Sequence, residues 1–117
     1  MENDELCKKG LDIDSQIRFT GVVNNKGILT AGGNREGKDS YLTPEEIGMA
    51  THYTLQRWIQ CQNLEYKIGK EKASVIEFEK VTMISLPLSG SELFLISTEP
   101  DADYQLIIKQ AASLLQN

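Results

Sequence analysis

The chain has 117 residues, with 12 Lys and Arg against 17 Asp and Glu, for a formal net charge of −5. An apolar share of 40% and a charged share of 25% are those of an ordinary folded domain that builds one core, and they exclude a disordered chain. The acidic balance repels a phosphate backbone, so nucleic acid is not an expected partner.

The longest unbroken apolar run, Leu93 to Ile96, falls far short of the ~20 residues that span a bilayer. The charged start, Met1 to Asp4, leads into no apolar segment. Membrane insertion and secretion are therefore not expected. Cys7 and Cys61 stand far apart, with no CxxC and no Cys/His cluster, so neither a disulfide framework nor a zinc site is written into the chain. A reducing cytoplasm is the expected compartment. No repeat or long linker interrupts residues 1–117, which read as one domain.

Asp4 to Leu11 predicts a short helix with Leu6, Cys7 and Leu11 on one side, weakened by Gly10. From Ile17 to Val23 the period becomes two, the pattern of a strand. Asn24, Asn25, Lys26 and Gly27 supply a turn, and Ile28 to Ala31 resumes an apolar run, so the pair reads as a hairpin. Gly32 to Ser40 is a polar, glycine-rich loop. Thr43, Pro44 and Glu46 then form a capping-box start, and the helix is expected to run to about Lys67, with Gly69 as its left-handed stop.

That long helix carries a narrow polar stripe: Glu45, His52, Gln56, Gln60, Asn63 and Lys67. Its apolar arc covers roughly twice the ~100° that one sheet shelters. Three strands follow, Ser74–Phe78, Val81–Leu88 and one around Leu93–Ile96, whose lack of alternation fits a central strand covered on both faces. Asp101 is the expected cap of a last helix bearing Tyr104, Ile107, Ile108, Ala111, Leu114 and Leu115. The order is αββαβββα.

This order, the turn Ser97-Thr98-Glu99-Pro100-Asp101-Ala102-Asp103 and the hairpin Gly21-Val22-Val23-Asn24-Asn25-Lys26-Gly27-Ile28-Leu29 resemble the roadblock and dynein light-chain superfamily, in particular its short single-domain archaeal members. Glu99 and Asp103 stand where that family commonly has Asp and Asn. The resemblance implies a profilin-like α/β sandwich: a five-stranded antiparallel sheet in order 2-1-5-4-3, the long second helix on one face and the terminal helices on the other. It also implies a homodimer in which two long helices pack antiparallel and the third strands meet edge to edge.

The residues support the dimer independently. An apolar arc wider than one sheet's footprint needs a second partner, and Tyr53 and Trp58 are types enriched at interfaces. Ile47, Ala50, Tyr53, Thr54, Trp58 and Cys61 on the long helix, with Val75, Ile76 and Phe78 on an edge strand guarded only by Glu77, are the expected interface residues.

Other candidates have plainer explanations. Gly32-Gly33-Asn34-Arg35-Glu36-Gly37-Lys38-Asp39 comes within one residue of GxxxxGK[ST]. It lacks the hydroxyl that would ligate magnesium, and no helix begins at Lys38, so it reads as a surface loop. His52, the only histidine, has Gln56 as its i+4 neighbour and reads as a solvated side chain. Asp12 with Asp14, and Asp101 with Asp103, lack the oxygen set of a calcium loop. Lys67, Lys70 and Lys72 read as charge complementarity at a helix C-terminus, with an anionic partner surface as the sharper alternative.

No nucleophile, base or metal constellation emerges, so catalytic, cofactor and metal residues are expected to be none. The expected function is a non-enzymatic homodimeric interaction module. A Ras-like small GTPase, or another protein, is the partner that the resemblance implies. The alternative is a small-molecule-binding sensor of profilin-like architecture.

Overall fold

The hairpin and the C-terminal strands meet in one antiparallel sheet of order β2-β1-β5-β4-β3. The structure, a computed structural model, describes residues 1–116. Its elements are α1 (Asn3–Leu11), β1 (Ile17–Val23), β2 (Leu29–Asn34), α2 (Pro44–Cys61), a 3-10 turn (Gln62–Leu64), α3 (Glu65–Ile68), β3 (Ser74–Glu77), β4 (Thr82–Pro87), β5 (Leu93–Thr98) and α4 (Tyr104–Leu115). The strand order is the one the sequence implied, with β5 central.

Alternation along the strands sends two side-chain sets to opposite faces. One face holds the larger core, in which Ile17, Val22, Ile84, Leu86, Phe94 and Ile96 pack against Leu6 and Cys7 of α1 and Ile107 and Ala111 of α4. On the other face, Leu55 and Trp58 of α2 pack on Leu93 and Leu95. Gly10 lets α1 lie close to the sheet, because a Cβ there would come within 2.8 Å of the Phe94 ring. The helix weakness read from Gly10 is thus the condition of its packing.

Local signals set most boundaries. The Asn24 side chain accepts from Lys26 N–H and Ile28 N–H, and Gly27 takes φ 77°, closing the β1–β2 hairpin. Thr43 Oγ1 accepts from Glu46 N–H while the Glu46 carboxylate accepts from Thr43 N–H, the expected capping box. Gly69, at φ 85°, donates its N–H to Glu65 O and stops α3.

Three boundaries differ from the expectation. The long helix ends at Cys61, since Gln62 N–H is shared among the carbonyls of Trp58, Ile59 and Gln60 and the chain tightens into the 3-10 turn before α3. Strand β2 continues to Asn34, because Gly32 takes φ 104° and passes so close to Thr20 O that a Cβ there would lie 2.1 Å from it. The cap of α4 is Asp103, whose carboxylate accepts from Leu106 N–H at 3.2 Å. Asp101 lies in the preceding turn, where Ala102 N–H reaches back to Glu99 O.

Arg35 rivets the α1–β1 connection to the end of β2. Its guanidinium donates to the carbonyls of Ile17 (2.6 Å), Asp14 (2.8 Å) and Leu11. Charged donors to partly buried carbonyls are worth about 1.5–3 kcal/mol each. Arg35→Ala is expected to lower stability by about 2–3 kcal/mol, read as a lower urea midpoint at unchanged m-value.

Candidate functional site

The long helix offers two faces of different character. At about 100° per residue, Thr51, Leu55 and Trp58 share the inward face, and they are the buried residues of this 18-residue helix. Trp58 is 4% exposed, held by Leu55, Leu93 and Leu95 of its own chain. It therefore seats α2 on the sheet, and its indole is not available on the surface. Turned outward one turn apart are Met49, 71% exposed, and Tyr53, 62% exposed. Ile47, Ala50, Thr54 and Cys61 are half-buried along the flank. His52, Gln56, Gln60 and Asn63 of the polar stripe face solvent.

Two polar contacts fix where α2 sits. Thr51 Oγ1 donates to Gly27 O at 3.1 Å, tying the helix to the β1–β2 turn. Arg57 clamps Glu71 with two bonds of 2.9 and 2.8 Å, tying it to the segment before β3. This hydrogen-bonded carboxylate pushes the Arg57 pKa up. The same guanidinium donates to Cys61 Sγ at 3.6 Å.

The sheet face that carries α2 is only partly covered. A cross-strand row, Ile76, Met83, Ser97 and Phe19, runs over β3, β4, β5 and β1 in register, and each member is half-buried. The next row holds Ser74 and Ser85, whose hydroxyls hydrogen-bond to each other, and then Leu95 and Gly21. Val75 points the opposite way and packs against the larger core. Phe78, just past β3, is exposed. Of the residues expected at an interface, Tyr53 and Phe78 are thus exposed, Ile47, Ala50, Thr54, Cys61 and Ile76 are half-buried, and Trp58 is an internal anchor.

Met49, Ile59, Leu64, Tyr66 and Ile68, exposed apolar residues of α2, the 3-10 turn and α3, did not figure among the expected interface residues. Met49 was legible from its i, i+4 spacing to Tyr53. Leu64 and Tyr66 lie past the end of α2, in the 3-10 turn and α3.

The glycine-rich loop is pinned to the sheet. Lys38 Nζ lies 3.0 Å from the Glu99 carboxylate, which also receives Arg18 at 3.1 Å. Arg18 donates to Asp39 O at 2.8 Å and lies over the Tyr41 ring, 4.5 Å from its centroid. Lys38, and to a lesser degree Arg18, hold the Glu99 carboxyl below its ordinary pKa. With Lys38 so engaged and α2 starting only at Pro44, this loop has no phosphate-cradling geometry. The Cys7 thiol is pushed up by burial, away from thiolate chemistry. Among the described residues no group of three or more His, Cys, Asp or Glu side chains converges as a metal site, and no helix is long and apolar enough to cross a membrane.

The architecture matches solved structures over nearly its whole length. A roadblock/LC7 domain from Streptomyces avermitilis superposes with a TM-score of 0.76 at 10% identity, covering 99% of this chain and 93% of that one. The chain has the roadblock/LC7 fold. The gliding protein MglB from Thermus thermophilus gives a TM-score of 0.74 at 16% identity, over 95% of this chain and 83% of that one. A structure described as MglB with tetrameric arrangement gives 0.75 at 15% identity, over 96% and 84%. No protein-family sequence model matches, and no curated protein does. The roadblock/LC7 likeness is thus one of backbone course and helix placement.

Two outcomes are expected. Trp58→Ala empties the centre of the small core and should cost about 3–5 kcal/mol, with loss of α2 helicity by circular dichroism. Because Glu99 has a lowered folded-state pKa, its contribution is fully present above the ordinary value of 4.5. That contribution drains as pH falls through the lower folded value. Glu99→Gln should flatten this acid limb in a pH series of thermal melts.

Proposed function

We propose that this chain is a non-enzymatic, cytoplasmic interaction module that works as a homodimer and scaffolds or regulates a Ras-like small GTPase. The observation that carries the reading is the outward pair Met49 and Tyr53 on a helix with only three buried residues. Removing such surface from water favours association by roughly 25 cal/mol per Å².

Charge distribution favours an antiparallel pair. Glu45 and Glu46 occupy the first turn of α2, while Lys67, Lys70 and Lys72 follow its far end. An antiparallel copy brings the acidic turn of each helix towards the basic segment of the other, twice by symmetry. The half-covered row Ile76, Met83, Ser97 and Phe19 offers a second copy sheet surface to cover, and the free edge of β3 offers it backbone to pair with. The roadblock/LC7 and MglB likenesses support a module that acts through partners. The Ras-like GTPase comes from the family resemblance of the sequence, and it binds the composite surface of the dimer.

The test is the solution mass. Light scattering at micromolar concentration is expected to give twice the chain mass, and Tyr53→Glu, at an exposed position, should yield a folded monomer with wild-type circular dichroism. A stable wild-type monomer would remove the dimer. Affinity capture with wild-type protein and mass spectrometry should recover a small GTPase that Tyr53→Glu fails to retain.

A further inference from the structure

The other edge of the sheet is open in a different way. Strand β2 carries no charge and no proline from Leu29 to Asn34, two of the usual devices that block pairing by a foreign strand, and its register shift against β1, a bulge at Thr30, lies at the hairpin end, away from Gly32, Gly33 and Asn34. Arg35 N–H donates to Arg18 O. By the alternation of an antiparallel ladder, the same parity turns the amides and carbonyls of Gly33 and Ala31 towards β1. The backbone groups of Gly32 and Asn34 then face outward, free to pair.

Beside this edge lies a groove of about 280 Å³, walled by Cys7 and Leu11 of α1 and Thr20 of β1 and floored by Gly33. Its origin is a missing side chain. Gly33 stands opposite Thr20 on the α1 face of the sheet, and a Cβ added there meets nothing within 4 Å. Asp4 and Lys8, one helical turn apart, form the rim, and neither makes an ion pair among the described residues.

We propose that the β2 edge with this groove is a docking site for an extended segment of a partner protein, which adds as a sixth strand and inserts an aliphatic side chain over Gly33. The backbone groups demand an extended occupant, and the groove demands an apolar side chain on its α1-facing side. A second copy does not meet the second demand, because on that face its own β2 offers only Ala31 and Gly33. The unpaired Asp4 and Lys8 complement a segment with a basic residue at one end and an acidic residue at the other. This site is independent of the dimer proposed above, which uses α2 and the opposite edge.

The test titrates two synthetic probes into the isotope-labelled full chain: Lys-Thr-Val-Thr-Val-Thr-Glu and its charge-exchanged form, Glu-Thr-Val-Thr-Val-Thr-Lys. Amide shifts are expected at Thr30 to Asn34 and along α1. Gly33 lacks a positive φ, so Gly33→Val leaves the melting temperature intact while filling the groove, and it should weaken binding about tenfold or more. Exchanging Asp4→Lys together with Lys8→Glu should reverse which probe binds more tightly, a readout that unfolding would not produce. A probe N-methylated at alternate amides should fail to bind. The proposal is overturned if β2 amides stay unmoved at millimolar probe, if Gly33→Val binds as the wild type does, or if β2 amides shift on dilution alone, which would make a second copy the occupant.

Discussion

Leu55 and Trp58 reaching Leu93 and Leu95 make the apolar attachment of α2 to the sheet, and the rest of the molecule is arranged around how small that attachment is. An amphipathic helix normally lays a stripe about 100° wide on its sheet. Here the buried set is only Thr51, Leu55 and Trp58. Thr51 and Arg57 then fix the position of α2 through polar contacts at the β1–β2 turn and at Glu71. The consequence is a helix held at a few points, with Met49 and Tyr53 outward and a half-covered row of sheet beneath.

The two faces of the sheet therefore carry different loads. On the α1 and α4 side, Phe94, Ile96, Ile84 and Val22 are sealed by two helices, and Gly10 permits the close approach that seals them. That side supplies most of the stabilising burial. The α2 side is left free to be a surface, and polar residues such as Ser85 and Ser97 can sit within it. The edges differ too. β3 ends beside Glu77 and the exposed Phe78, whereas β2 is uncharged and glycine-rich, with space beside Gly33 that its own chain does not fill.

Much of this was legible in the sequence where the signals are local. The capping box at Thr43 and the turn at Asn24 to Gly27 each depend on residues within four positions and stand where the sequence placed them, and Gly69 is a left-handed stop as expected, though of α3 and not of the long helix. The surplus apolar arc of the long helix was legible as well. The side of that arc which stays exposed was not, because Trp58 and Tyr53 are both large aromatic types. Only the contact with Leu93, distant in the chain, decides which of them turns inward.

The sequence by itself determined the order of the main elements, the capping box of the long helix and the β1–β2 turn, and, through the family resemblance, the strand order. These follow from dihedral preferences, hydrogen bonds to near neighbours and hydrophobic period. Tertiary structure alone decided that Trp58 is an anchor, that the strand runs on through Gly32 and Gly33, that Lys38 is held by Glu99, and that a groove opens beside β2. Each of those outcomes rests on groups far apart in the chain competing for the same space or charge, and such competition is resolved only when the sheet has brought them together.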